Sequence, residues 1–166
     1  NIELLQIASE ISKSIGNSLN IKKMLSDSLL VILKKLNCYA GFVLKLDKNL
    51  QYVHTYEQVY SIPRNIHNND TYNLALQIIP NDFDENQLAN FLGYLPYVRY
   101  DYRGNFIHLL ELPGFGIIGL IKNSYDLDPN IIKFLKPILK KLAEASISCL
   151  QNDALQESER NYRSLV

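Results

Sequence analysis

The chain has 166 residues, 47% hydrophobic and 20% charged, with 17 basic and 17 acidic side chains and a formal net charge of zero. That length suits one domain with a buried core, and that composition excludes a disordered chain. The balanced charge gives no field for nucleic acid, no apolar run approaches the ~20 residues of a membrane span, and nothing resembles a signal peptide.

In chain order, "NIELLQIASEISKSIG" sets Leu4, Ala8, Ile11 and Ile15 on one helical stripe, ended by Gly16-Asn17. Asn20 then caps a second helix, "IKKMLSDSLLVILKKL", with Leu25, Leu29, Ile32, Leu33 and Leu36 inward. The Lys pairs 22–23, 34–35 and 140–141 sit between apolar residues at helical spacing and read as solvated faces. Residues 39–46 are apolar on both alternating sets, as in a strand covered on two sides. Asp47-Lys48-Asn49 turns the chain. Tyr52, His54, Tyr56 and Tyr60 then fall on one face of a second strand, with Val53, Thr55 and Val59 on the other.

After the polar loop "PRNIHNND", "TYNLALQII" alternates cleanly and predicts a third strand, with a short helix as the alternative. "NDFDENQLANFLGYL" predicts a helix opened by an Asp84–Gln87 capping box and closed at Gly93. Three strands follow at about 97–102, 105–112 and 115–122, joined by turns at Arg103-Gly104 and Pro113-Gly114. A long last helix starts with Asp128 as N-cap and Pro129 in the first turn, and Pro137 should kink it or split off its first turn. Leu135, Ile138, Leu142, Ala145, Cys149 and Asn152 follow heptad spacing, while Ala143, Ile147, Leu150 and Ala154 make a second stripe. One stripe can pack on the sheet and the other on a partner helix. The order α-α-β-β-β-α-β-β-β-α describes one α+β domain with a mostly antiparallel sheet.

No constellation for catalysis emerges. Cys38 and Cys149 are far apart among apolar neighbours and read as small buried thiols, neither beside a histidine. His54 and His108 could share a sheet face, but distant histidines without clustered carboxylates do not make a metal site. "DFDEN" opens like a calcium loop, yet Gln87 replaces the turn glycine and Gly93 the closing Glu, so acids at a helix N-terminus explain it. "GFGIIG" lies in a hairpin rather than between a strand and a helix, so it is no dinucleotide cradle. Eleven tyrosines and no Trp are unusual. They can line a small-molecule pocket, with an apolar wall and a polar tip, or pack along an exposed edge strand.

The opening two helices with the strand "LNCYAGFVLKLD", and the closing "GFGIIGLIKNSYDLDPNIIKFLKPILKKLAEASISCLQN", resemble a GAF domain over residues 3 to 155. Residues 1–155 are thus read as a GAF-like sensory domain. The run "SERNYRSLV" resembles the start of many PAS domains, so 156–166 reads as a linker helix leading into one. A chain that starts at Asn1 and closes on this run reads as a piece of a longer protein.

The resemblance implies a six-stranded antiparallel sheet in the order 3-2-1-6-5-4. The first, second and last helices would cover one face. A ligand pocket would lie on the other, under the segment between strands two and four. It implies a non-catalytic, cytoplasmic sensor module, most often of a two-component histidine kinase, dimerising through its terminal helices. A diguanylate cyclase, a transcription regulator and an enzyme on the same fold are the alternatives. Candidate pocket residues are Tyr39, Tyr56, Phe91, Tyr94, Arg99, Tyr100 and His108. Candidate dimer residues are Leu135, Ile138, Leu142, Ala145 and Cys149. No cofactor is expected. The contiguous "NDFDE" lacks the spacing of the cyclic-nucleotide motif of the family. No cysteine has the histidine neighbour that covalent bilin attachment uses, and the clustered cysteines of methionine-sulfoxide-reducing members are missing.

Overall fold

A computed structural model describes residues 2–48 and 53–165. Two helices open the chain, α1 (Ile2–Lys13) and α2 (Ile21–Leu36). Asn20 caps α2 by accepting the Lys23 N–H at 3.0 Å, and Asn37 closes it in the left-handed conformation with φ 56°. Asn tolerates that conformation better than most residues, because its short side chain bonds locally. Strands β1 (Ala40–Lys48) and β2 (His54–Ile62) pair antiparallel. Asp47 and Lys48, expected in a turn, instead end β1 and pair with Thr55 and His54, while Asn49 and Tyr52 lie outside the described residues.

The expected third strand does not form. Residues 70–78 are a helix, α3 (Asp70–Ile78), capped by Asn69, which accepts the Tyr72 N–H at 2.9 Å. The alternation of "TYNLALQII" is also compatible with a helix, because Tyr72, Ala75 and Ile79 recur at three and four residues and all three are buried. The cap at Asn69 decides between the two. The sheet therefore has five strands and not six. It is completed by β3 (Tyr97–Tyr100), β4 (Asn105–Leu112) and β5 (Gly116–Asn123), in the order β2-β1-β5-β4-β3 and all antiparallel. Among the described residues no strand lies beyond β2 or β3, so both are edges.

A helix α4 (Glu85–Gly93) precedes β3, and its capping box is complete. Asp84 accepts the Gln87 N–H at 2.8 Å, and Gln87 returns the bond to the Asp84 N–H at 2.9 Å. The last helix, α5 (Pro129–Leu165), has 37 residues, so it is roughly 55 Å long. It runs through Pro137 as one element, without the split the sequence suggested.

The two faces of the sheet carry different layers. On one, α1, α2 and α5 bury Ile11, Leu25, Leu29, Ile32, Leu135 and Leu142 against Val43, Leu110, Ile118 and Leu120. On the other, Ile66, Tyr72, Ala75 and Ile79 cover Phe42, Leu44, Ile107, Leu109 and Ile117. A bulge in β2 complicates its faces. Val43 pairs with Tyr60 but Leu44 pairs with Gln58, so Val59 is the extra residue. An extra residue reverses the alternation beyond it. Tyr60 therefore packs with the helical layer and Tyr56 with the opposite core, correcting the single face expected for both.

Candidate functional site

Among the described residues, cavities on the α3–α4 side of the sheet include three. The first, of about 470 Å3, is a polar cleft between α3 and the end of β3 with its turn, lined by Asp70, Thr71, Asn73, Leu74, Gln77 and residues 99–103. The second, of about 490 Å3, is more apolar and lies among Ile78, Pro80, Phe91, Tyr94 and Tyr97. The third is smaller, about 240 Å3, between Leu44, Tyr56, Gln58, Tyr72 and Ile79.

The sequence candidates divide among these. Tyr56 borders the smallest cavity and stacks on Phe83 at 5.5 Å between ring centroids, with Phe91 at 6.0 Å. Burial, with the nearby Glu111 charge, pushes the Tyr56 hydroxyl up to about 12, so it stays a neutral donor. Phe91 and Tyr94 line the apolar cavity, and Arg99 and Tyr100 the polar cleft. The tyrosine cluster of residues 94–102 thus serves two cavities.

Tyr39 borders none of the three. It is exposed just before β1, where its N–H bonds the Ile121 carbonyl. His108 is also misplaced by the sequence reading. It is fully buried on the helical face, where its Nε2 accepts the Leu127 N–H at 3.0 Å and its Nδ1 faces the Leu120 carbonyl at 3.3 Å. His54 lies on the other face, against Phe83, so the two histidines do not share one. Its Nε2 meets Glu85 Oε1 at 2.9 Å, and its buried Nδ1 has no partner among the described residues. That pair borders none of the three cavities.

The dimer candidates are spent inside the chain. Leu135, Ile138, Leu142 and Cys149 are buried in the core shared with α1 and α2, and Ala145 packs against it. The exposed large apolar residues of α5 are, among the described residues, Leu155, Tyr162 and Leu165.

The polar cleft has a defined internal order that sequence reasoning missed beyond Arg99 and Tyr100. The Asp101 carboxylate accepts the Thr71 hydroxyl at 2.8 Å, the Asn105 amide at 3.0 Å, and the N–H groups of Arg103 and Asn105 at 2.7 and 2.9 Å. Burial raises its pKa, but those donors outweigh burial and the net direction is down. Asp70 accepts from Arg103 across the rim at 3.0 Å. Asp101 after a strand, with Gly104 three residues on, is a turn signal that could have placed this carboxylate. Its reach back to Thr71 could not be read, because 30 residues separate them.

The thiols offer no nucleophile. Burial pushes Cys38 up to about 11 and outweighs the nearby Lys122 charge, while Cys149 is raised by burial and by Asp153. Among the described residues no three His, Cys, Asp or Glu side chains gather to hold a metal ion, and no helix is long and apolar enough to cross a membrane.

The chain matches no protein-family model and no curated protein.

Proposed function

We propose that the chain is a non-catalytic, GAF-type sensory and pairing module of a cytoplasmic signalling protein, with a histidine kinase as the output. The observation that carries this reading is the division of α5. Its first half closes the core against the sheet through Leu135, Leu142 and Cys149, while residues 153–165 are exposed throughout. A helix held by the sheet at one end and free at the other can report a change in the sheet. A ligand does this only by binding two arrangements with different affinity. The cavities beside α3 and α4, across the sheet from α5, give such a ligand a place. The likeness of residues 158–166 to a PAS opening supports a signalling context.

Pairing is assigned to the exposed half of α5. Leu155 and Tyr162 are seven residues apart and Leu165 follows by three, which is coiled-coil seam spacing. Sedimentation of the 166-residue chain at micromolar concentration should give a dimer. Leu155→Asp with Tyr162→Asp should give a folded monomer, since neither side chain touches the core of its own chain. A monomeric parent chain overturns the pairing, and a dimer indifferent to both substitutions overturns its assignment to this seam.

A further inference from the structure

We infer that the free edge of β3 is a docking site for a short extended segment of a partner protein, with apolar residues at alternate positions and an acidic residue between them. This goes beyond the sensory reading and does not depend on it. The backbone comes first. Asp101 donates its N–H to the Asn105 carbonyl at 2.9 Å, and in the same register Arg99 stands opposite Ile107 and Tyr97 opposite Leu109. Bonded and non-bonded pairs alternate along an antiparallel ladder. Tyr97 and Arg99 therefore bond β4, while the N–H and C=O groups of Val98 and Tyr100 point away from it. Those groups have no partner among the described residues, because β3 ends the sheet. A strand laid beside β3 would satisfy all of them.

Successive side chains of β3 point to opposite faces, so an added strand meets two different surfaces. On the face of α1, α2 and α5, Val98 stands opposite His108 and Tyr100 opposite Phe106. The Tyr100 ring lies 4.9 Å from Phe106 and 5.3 Å from Tyr102, between centroids. This end of the face is open, with Val98 36%, Tyr100 39% and Tyr102 85% exposed. Apolar and aromatic residues pair favourably across strands, so this face selects apolar neighbours. On the α3 face the middle residue is Arg99, exposed and without an ion pair or hydrogen bond among the described residues. The acids near it are committed, Asp101 to Thr71, Arg103 and Asn105, and Asp70 to Arg103. The residue set against Arg99 across the new pairing is therefore best an acid.

A second copy of this chain does not fit the edge. Antiparallel pairing centred on Arg99 sets that guanidinium against the same residue of the other copy, in a close non-bonded pair where like charges repel. A register shifted one way brings in Pro96, which has no N–H to donate. A register shifted the other way brings in Tyr102, whose φ of 61° takes it out of the strand conformation. The stretch is shielded from self-association and open to a different segment.

The test is an amide NMR titration of the 166-residue chain with a blocked synthetic heptapeptide, valine–glutamate–valine at its centre with threonine and then glutamine on each side. Saturable shifts should concentrate on residues 97–102. Methylating the two valine nitrogens removes the donors aimed at the Val98 and Tyr100 carbonyls, and should weaken binding at least about tenfold, as two lost hydrogen bonds imply. Glutamine in place of the glutamate should weaken it about two- to fivefold, and lysine further. Arg99→Glu, a change at an exposed side chain, should keep the parent spectrum away from β3 and reverse the order, so that the lysine peptide binds best. Absence of saturable shifts at millimolar peptide, equal binding of the methylated peptide, equal binding of the glutamate and lysine peptides, or a charge preference unmoved by Arg99→Glu each overturns the site. Shifts of residues 97–102 on dilution of the chain alone would put a second copy on the edge and overturn the peptide partner.

Discussion

His108 Nε2 accepts the backbone N–H of Leu127 at 3.0 Å, which pins the loop before α5 to the middle of β4. The bond requires a neutral imidazole with its proton on Nδ1, directed to the Leu120 carbonyl. Burial lowers the pKa and prevails over the Leu120 bond and the Asp126 charge, which raise it, with Lys122 adding to the lowering. The folded value therefore lies below the unfolded value of about 6.5. Above that pH the contribution to stability is fully present. As pH falls through 6.5 toward the folded value, the unfolded chain binds the proton first and stability is lost, by at most ~1.4 kcal/mol per pH unit. Urea unfolding at a series of pH values should show this decline. His108→Leu should abolish this part of it. That substitution should also cost about 1–3 kcal/mol at neutral pH, because it leaves a buried Leu127 N–H unpaired. A pH profile unaltered by the substitution would show that another group is responsible.

Lys122 is a buried cation with no carboxylate paired to it among the described residues. Its ammonium donates to the Leu36 and Asn37 carbonyls at 3.2 and 3.1 Å, at the C-terminal end of α2, and lies 4.6 Å from the centroid of the Tyr125 ring. A helix C-terminus has unmatched carbonyls and partial negative charge, so a cation fits there. Two charged hydrogen bonds and a ring face must outweigh the desolvation of the ammonium. Lys122→Met should therefore destabilise the chain by about 1–3 kcal/mol in urea unfolding. A stabilised variant would mean that desolvation dominates and that the site is retained for something other than stability.

Much of the helical frame was legible because caps are local. Asn20, the Asp84–Gln87 box and Asp128 each signal a start through neighbours within three residues, and all three accept the expected N–H bonds. Residues 70–78 are ambiguous in sequence because their mixed periodicity satisfies two templates, and the deciding Asn69 cap sits within a polar run that resembles a loop. The bulge at Val59 could not be read, since register is a property of two strands and the partner lies about fifteen residues away. Of the candidate residues, only the positions relative to the cavities can be compared. Tyrosines and Arg99 between α3 and β3 do border cavities, whereas His108 and the heptad stripe of α5 were claimed by the chain's own core. A periodic apolar stripe reports burial without saying which surface buries it.

Two glycines of β5 test how tightly that core is closed. A Cβ at Gly119 would stand 2.0 Å from Phe42 Cζ, directly across the β1–β5 pairing, and Phe42 is fully buried with its ring edge against Tyr72. A Cβ at Gly116 would stand 1.9 Å from the Leu44 carbonyl oxygen, which is backbone of the neighbouring strand. A side chain can yield to another rotamer, while a paired backbone can yield only by breaking the ladder. Gly119→Ala should thus cost about 2–4 kcal/mol, and adding Phe42→Leu should return part of it, a non-additive pair in a double-mutant cycle. Gly116→Ala should cost as much or more, and Phe42→Leu should give it no relief. Urea unfolding of the three single variants and two doubles measures both couplings. Additive energies for Gly119→Ala with Phe42→Leu would mean that the Phe42 ring does not set the need for glycine at 119.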